Sequence, residues 1–188
     1  MLVKEFHNKC YMCEYKESSS LNIEHFKPHR GDMKLKFKWQ NLFLSCGHCN
    51  NIKMDKYENI LDFTNSDHDV ENWIKYYADT FPKTKVKISA LNDDQLVNKT
   101  VELLNKIYNG ATHQKEVEGK NIVRKLKKEL IQFQNNLWQY EEAIDEDEKD
   151  YYKRRIKKQI HVSSSFTAFK RWIIKDIELL YDEFKEFI

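Results

Sequence analysis

The 188-residue sequence contains no long apolar run. A helix needs about 20 mostly apolar residues to cross a bilayer, and the sequence offers no such stretch. The first segment, MLVKEFHNKC, also lacks the apolar core that a secretory signal peptide requires. These absences argue against contact with a membrane, and we expect a cytoplasmic protein.

The sequence also lacks an overall excess of charge of one sign. Lys and Arg total 32 and Asp and Glu total 30, so the net charge of +2 does not by itself indicate a polyanionic partner. The local distribution is more informative, because the stretch from Lys27 to Lys56 contains only two acidic residues, Asp32 and Asp55. The cations of this stretch are Lys27, Arg30, Lys34, Lys36, Lys38, Lys53 and Lys56. We interpret the acidic run at Asp145–Asp150 as a solvated helix face or loop without a function of its own.

Cysteines are few, and they are paired. Cys10 and Cys13 form one C-x-x-C pair, and Cys46 and Cys49 form another. In a reducing compartment such pairs indicate metal ligands more often than disulfides, and two pairs can close a tetrahedral site around structural Zn²⁺. Four ordinary buried thiols or a redox pair are the alternatives, although a thioredoxin-like site needs a βαβ context that the pattern lacks. His48 lies inside the second pair, and we expect it to point outward because four thiolates already suffice.

The segment between the two pairs predicts a small ββα unit. NIEHFKPHR, Asn22–Arg30, has the apolar anchors of a short strand that ends at Pro28. KWQNLFLSC follows a basic loop and contains a second strand-like stretch. GHCNNIKMDKY then begins a helix on which Asn50 and Lys53 share a face.

The rest of the chain predicts helices. DQLVNKTVELLNKIYN has apolar residues at helical spacing and ends at Gly110, and two later stretches, KNIVRKLKKELIQFQNNLWQYEEAI and SSSFTAFKRWIIKDIELLYDEFKEF, repeat the pattern. Any of the serines in 163–165 could cap the last one. Between them, NWIKYYA and KVKISAL suit a short β-hairpin or two edge strands. The fold class is therefore α+β, with a zinc-pinned ββα module at residues 1–63 and a mostly helical accessory region at 64–188.

The ββα unit carries residues suited to phosphodiester cleavage. Such cleavage needs a base for the attacking water and a cation for the charge that develops on the leaving oxygen. A histidine imidazole can accept a proton at physiological pH, so His25 suits the first role, and Glu24 and Asn50 offer the oxygen ligands that Mg²⁺ prefers. The cationic side chains that could hold substrate phosphates are Arg30, Lys53 and Lys56.

The segments CYMC, IEHFKP and WQNLFLSCGHCNNIK, in this order, resemble the cysteine-rich branch of the HNH endonucleases, which have a ββα-metal fold. The resemblance implies that Glu24 binds the catalytic divalent metal, that His25 is the general base, and that Asn41 steadies the loop and orients this base. Asn50 occupies the last motif position, that of a second ligand to the catalytic metal. An asparagine instead of a histidine there favours Mg²⁺ or Mn²⁺ over zinc as the catalytic ion.

The motif covers about residues 10–57. Beyond it, ILDF, KTVELLNKIYNG and SSSFTAFKR resemble the PtuB nucleases, which act with an ABC-type ATPase, PtuA, in Septu anti-phage systems and some retrons. This second resemblance implies a defence effector that cuts nucleic acid upon infection, with DNA favoured over tRNA as the substrate. It also implies a complex with a PtuA-like ATPase.

Two alternatives remain open from the sequence. A zinc-stabilised nucleic-acid-binding or adaptor module without catalysis would need the cysteines and the basic residues, but would not use Glu24, His25 and Asn50 together. The helical region is rich in aromatic residues, which are typical of interface cores, and either an ATPase partner or a homodimer would explain them. These aromatic residues are Trp138, Tyr140, Tyr151, Tyr152, Trp172 and Phe184.

Overall fold

The computed structural model describes residues 1–16, 18, 20–110 and 113–188. The helices in these ranges are α1 (Leu2–Glu5), α2 (Met33–Lys36), α3 (Gly47–Lys53), α4 (Val70–Trp73), α5 (Gln95–Asn109), α6 (His113–Glu141), α7 (Glu146–Ile160), α8 (Thr167–Lys175) and α9 (Glu178–Phe184). The strands are β1 (Leu21–His25), β2 (Leu42–Cys46), β3 (Ile74–Ala78) and β4 (Val86–Ala90), and short 3-10 helices span Trp39–Asn41 and Lys185–Phe187. This arrangement confirms the predicted α+β class. In the described parts of the chain, no helix is long and apolar enough to span a membrane.

The predicted strand, loop, strand and helix are present in the N-terminal part. β1 and β2 form an antiparallel pair in which Glu24 lies opposite Phe43 and His25 lies opposite Leu42. β2 continues directly into α3, so that Cys46 ends the strand and Cys49 lies in the first turn of the helix. The hairpin and helix therefore hold one cysteine pair beside the strand that carries Glu24 and His25.

The loop between β1 and β2 has an ordered backbone. Gly31 adopts a φ of +91°, a left-handed conformation that glycine takes without the strain of a Cβ. The carboxylate of Asp32 then accepts hydrogen bonds from the backbone amides of Lys34 and Leu35, which caps α2. This cap fixes where the loop turns back towards β2.

The predicted hairpin is formed by β3 and β4, which pair antiparallel with Tyr76 opposite Ile88. Asn105 of α5 fastens to its edge, because its Nδ2 donates to the Ile88 carbonyl at 2.8 Å and its Oδ1 accepts from the Ile88 amide at 3.2 Å. Trp172 of α8 donates from Nε1 to the Ile74 carbonyl at 2.8 Å on the other strand. The hairpin thus lies between α5 and α8.

The helical predictions hold for α5 and α6 but not in detail for the last stretch. α5 begins at an Asp94 cap, and it ends at Gly110, the stop that its sequence predicts. The last stretch forms two helices, α8 and α9, that are separated at Asp176 and Ile177. The expected serine cap was wrong, because Glu14 from the first cysteine pair's turn accepts the Ala168 amide at 2.8 Å. The Glu14 carboxylate, which is distant in the sequence, therefore takes the place that a nearby serine hydroxyl was expected to have at the start of α8.

The acidic run belongs to the start of α7. Asp145 caps this helix by accepting the Glu148 amide at 2.8 Å, and the following acidic residues occupy its first turn. Negative charge at a helix N-terminus is favourable because the exposed amides there carry partial positive charge. The run is therefore a helix start, in agreement with the helix-face interpretation.

Packing is continuous across the predicted boundary at residue 63. One apolar core extends from Cys10 to Phe169 and includes buried residues of β2, α3, β3, β4, α5 and α6. Tyr108 of α5 donates its hydroxyl to the Cys13 carbonyl at 3.0 Å, and Thr100 accepts the Leu61 amide at 2.8 Å. A second cluster joins the end of α6 to α7, α8 and α9. The ββα module consequently rests on the helical region rather than standing apart from it.

Candidate functional site

The four cysteines converge on one point. Their sulfur atoms all lie within 4.8 Å of one another, and all four residues are buried. A tetrahedral zinc with Zn–S bonds of about 2.3 Å places its sulfurs about 3.8 Å apart, and the Sγ atoms of Cys13 and Cys46 are separated by 3.9 Å. In the part of the chain that the structure describes, this is the one group of three or more His, Cys, Asp or Glu side chains arranged to hold a metal. The donor set fits zinc.

Burial disfavours the thiolate form of Cys49 in the absence of a cation. Desolvation raises the pKa of Cys49 well above that of a free thiol. A bound zinc overcomes this cost, because thiolates are its ligands and their charge is neutralised on binding. The four buried sulfurs are therefore suited to a closed structural site.

His48 does not point outward, contrary to the sequence-based expectation. It is buried, with Nδ1 at 2.9 Å from Glu118 Oε2 and Nε2 at 2.9 Å from the Ile107 carbonyl. The expectation was wrong because α5 and α6 cover this side of α3. His48 therefore links the second cysteine pair to the helical region.

An open cavity of about 370 Å³ lies at the edge of β1, the start of the β1–β2 loop and α3. Four of the predicted site residues line it, namely Glu24, His25, Arg30 and Asn50. His29 and Asp55 line it as well. A larger cavity, of about 390 Å³, lies between the N-terminal segment and α8 and contains none of the predicted site residues. The chemistry that the sequence predicts is thus concentrated in the cavity beside β1.

His25 is held through one ring nitrogen. Its Nε2 lies 3.0 Å from the carbonyl oxygen of Lys36. A carbonyl can only accept a hydrogen bond, so Nε2 must carry the hydrogen in this contact. In the neutral ring the lone pair is then on Nδ1, which is the nitrogen able to take a proton.

Asn41 fixes the loop that holds His25. This side chain is buried, accepts the Lys27 amide at 2.7 Å, and donates from Nδ2 to the carbonyls of Lys27 and Leu35 at 2.9 and 3.1 Å. It therefore ties the end of β1 to the residue that precedes Lys36. These hydrogen bonds hold the loop together, and the orientation of the base by Asn41 stays a prediction.

Glu24 is a buried carboxylate with two polar partners. Tyr11 donates its hydroxyl to Oε1, and Lys53 Nζ lies 3.6 Å from the same oxygen. Burial raises the pKa of Glu24, and the Lys53 ammonium and the Tyr11 hydroxyl oppose this effect. A divalent cation in the cavity would stabilise the ionised carboxylate further.

Lys53 does not fit its predicted role in binding phosphate. Its side chain has no exposed surface, and Nζ donates to the carbonyls of Phe26 at 2.9 Å and His25 at 3.2 Å. Burial lowers its pKa, and Glu24 opposes this effect. The prediction was wrong because the face of α3 that carries Lys53 packs against β1. The ammonium therefore binds the carbonyls at the end of β1 and is shielded from a substrate.

Replacing Lys53 should therefore affect stability. We expect Lys53→Ala to lower the free energy of unfolding by about 3–5 kcal/mol, because it removes the ammonium that is paired with the buried Glu24 carboxylate and that donates to two carbonyls. Lys56→Ala, at an exposed position nearby, should change it little. Urea denaturation of the two variants measures the difference. Equal stability of both, with substrate affinity lost only in the Lys53 variant, would restore the phosphate-binding role.

Arg30 and Lys56 differ in their placement. Arg30 lines the cavity, has a 65% exposed side chain and pairs with Glu58. An exposed ion pair contributes little stability, so a substrate phosphate can replace the Glu58 carboxylate at low cost. Lys56 is exposed but does not line the cavity. Arg30 is thus the better placed of the two for contact with a substrate at this site.

Two cavity residues were missed by the sequence analysis. The ring of His29 lies 4.7 Å from that of His25 between centroids, and its Nδ1 accepts the Gly31 amide at 3.1 Å. A second histidine four residues after His25 was a usable signal. Asp55 carried no such signal, because an acidic residue after a helix is common and only the fold brings it to the cavity.

Comparison with known proteins identifies the same segment. Residues 10–56 match the family model described as HNH endonuclease. The match contains all four cysteines and every residue that lines the cavity beside β1. The searches of curated proteins and of solved structures find no significant match to this chain. Residues 10–56 are therefore similar to the HNH endonuclease domain, and they contain the four-cysteine cluster.

Proposed function

We propose that the protein is a metal-dependent endonuclease that hydrolyses phosphodiester bonds of nucleic acid at the cavity beside β1. The observation that carries this proposal is the convergence of Glu24, His25 and Asn50 on one open cavity next to the cysteine cluster. A binding module would gain nothing from a buried carboxylate, an oriented imidazole and an amide at the same point. These groups supply what hydrolysis of a phosphodiester requires.

The cavity fits a hard divalent cation. The Glu24 carboxylate and the Asn50 amide oxygen are the ligand types that Mg²⁺ and Mn²⁺ take, with water completing the coordination. The buried Glu24 carboxylate favours such an ion. Its pKa is raised because the protein compensates only part of the cost of burying its negative charge, and a bound cation would compensate more of that cost. When bound there, the ion supplies positive charge to stabilise the leaving oxygen.

His25 acts as the general base in this proposal. Because Nε2 is held by the Lys36 carbonyl, Nδ1 takes the proton from the attacking water. Asn41 acts through the loop and is a positioning residue. Arg30 holds the substrate phosphate at the exposed side of the cavity.

Glu24→Gln tests the metal site directly. The amide retains the shape of the side chain and can still accept from the Tyr11 hydroxyl, but it removes the negative charge that would bind the ion. We expect the cleavage rate and the affinity for Mn²⁺ to fall together, while the zinc content is unchanged. Electron paramagnetic resonance measures the binding of Mn²⁺. Glu58→Gln, at the partly exposed partner of Arg30, serves as the matched control. Undiminished Mn²⁺ binding in the Glu24 variant would place the catalytic ion elsewhere.

The anti-phage role rests on the PtuB resemblance of ILDF, KTVELLNKIYNG and SSSFTAFKR and belongs to the same proposal. DNA is the favoured substrate and tRNA the other, with an ABC-type ATPase as the partner. Exposed aromatic side chains support a partner surface on the helical region: Trp138 of α6 is 61% exposed and Tyr151 of α7 is 47% exposed. Tyr140 and Phe184, also considered for this role, are buried in the core and cannot contribute.

Copurification tests the partnership. The full chain, coexpressed with an ABC-type ATPase from the same genetic locus, should elute with it as one complex, and Trp138→Ala should weaken that complex. Elution of the chain as a homodimer that the same substitution disrupts would assign the surface to a second copy instead.

A further inference from the structure

The loop between β1 and β2 exposes two large aromatic rings. Phe37 is 69% exposed and Trp39 is 41% exposed. Both follow α2, whose capped start fixes the loop backbone. Single exposed apolar residues are common, but two large rings on one ordered loop present flat faces that a ligand can cover.

These rings are connected to the catalytic base by backbone. Phe37 directly follows Lys36, whose carbonyl oxygen holds Nε2 of His25 at 3.0 Å. Trp39 begins the 3-10 helix that ends at Asn41, the residue that ties the loop to β1. The aromatic rings and the proposed general base are therefore held by the same short, hydrogen-bonded segment.

The loop that carries the rings has mostly positive charges. Lys34, Lys36 and Lys38 lie in the same segment, and the ammonium of Lys36 is 5.6 Å from the centre of the Phe37 ring. The acidic residue of the loop, Asp32, uses its carboxylate to cap α2. Lysines alternating with exposed rings suit a strand whose phosphates meet the ammonium groups while its bases stack on the rings. A duplex offers no free base faces, because its bases are already stacked on one another.

We infer that the substrate is a nucleic-acid strand with unpaired bases, and that a base beside the scissile phosphate stacks on Phe37 or Trp39. This inference rests on the proposed nuclease function, because that function places the scissile phosphate beside His25. It specifies the substrate class: a single strand, loop or frayed end is engaged, and an intact duplex is not. DNA and RNA strands share this chemistry.

Binding without cleavage tests the inference. The full-length His25→Ala chain, without added Mg²⁺ or Mn²⁺, is titrated into fluorescein-labelled single-stranded DNA, single-stranded RNA and the matching duplex. Adding Phe37→Ala or Trp39→Ala should weaken single-strand binding about 5- to 100-fold and leave duplex binding unchanged. Phe37→Tyr keeps the ring and should retain affinity. Phe81→Ala removes an 85% exposed ring on the β3–β4 loop and is the matched control.

The outcomes separate this inference from the nuclease proposal. Unchanged single-strand affinity in both alanine variants overturns the stacking role, as does an equal loss on duplex, which would assign the loop to contacts with the phosphate backbone. If the wild-type chain cleaves while the variants bind normally, only the stacking inference fails. If no substrate is cleaved but the single-strand selectivity depends on the rings, only the nuclease proposal fails. Whether the chain binds the DNA strand or the RNA strand more tightly identifies which of the two nucleic acids it prefers.

Discussion

Replacing His25 by alanine should reduce phosphodiester cleavage by about 10²- to 10⁴-fold, the range that a positioned general base contributes. The loss follows from the geometry, since Nε2 is engaged with the Lys36 carbonyl and Nδ1 is the nitrogen that can take the proton from water. The substitution removes one contact to a loop that Asn41 holds independently. Zinc content and the thermal unfolding midpoint should therefore remain close to those of the wild-type chain.

Two comparisons sharpen the His25 experiment. His161→Ala removes an exposed imidazole at the end of α7 and should leave cleavage unchanged. Added imidazole should partly restore cleavage to the His25 variant, because it can occupy the space of the missing ring and accept a proton. Full activity of His25→Ala in folded, zinc-containing protein would remove the residue from the mechanism.

Replacing Cys46 by serine should unfold the zinc module. A serine hydroxyl is a poor zinc ligand at neutral pH, so one corner of the four-sulfur site is lost. Structural zinc binding contributes about 10–16 kcal/mol in small metal-dependent domains, which matches or exceeds the 5–15 kcal/mol by which most folded proteins are stable. The damage should spread beyond residue 63, because the cysteines share a core with Tyr108 and Phe169.

Elemental analysis and circular dichroism measure the outcome for Cys46→Ser. We expect less than one zinc per chain and a much lower unfolding midpoint. Ser45→Ala alters the neighbouring buried side chain without removing a ligand, and it should retain the metal. A Cys46 variant that melts like the wild-type chain while lacking zinc would show that the four thiols are ordinary core residues.

The four-cysteine cluster and its supporting strands could be predicted because their signals are local. Two C-x-x-C pairs define a ligand set by spacing alone, and the apolar pattern around Glu24 and His25 predicts a strand. The end of α5 was equally readable, since Gly110 acts on the adjacent turn of helix. In each case the residues that determine the structure are neighbours in the sequence.

The errors share a different origin. Lys53 seemed a phosphate ligand because it follows a basic segment, but packing of α3 against β1 buries it among carbonyls. His48 was expected outside because nothing near it in sequence shows that α5 and α6 pack over it. Glu14 caps α8 from more than 150 residues away. Burial and long-range capping depend on tertiary contacts, which spacing within one segment does not encode.

The nuclease assignment is tested most directly by the divalent-ion dependence of cleavage. Purified, zinc-loaded wild-type chain is incubated with single-stranded DNA, with plasmid DNA and with bulk tRNA, alone and with the ABC-type ATPase, before and after addition of Mg²⁺ or Mn²⁺. Cleavage should appear only with the added ion and stop when that ion is withdrawn, while zinc remains bound. Binding of either substrate that is unaffected by the ion, with no cleavage in any mixture, would instead establish a zinc-stabilised binding module.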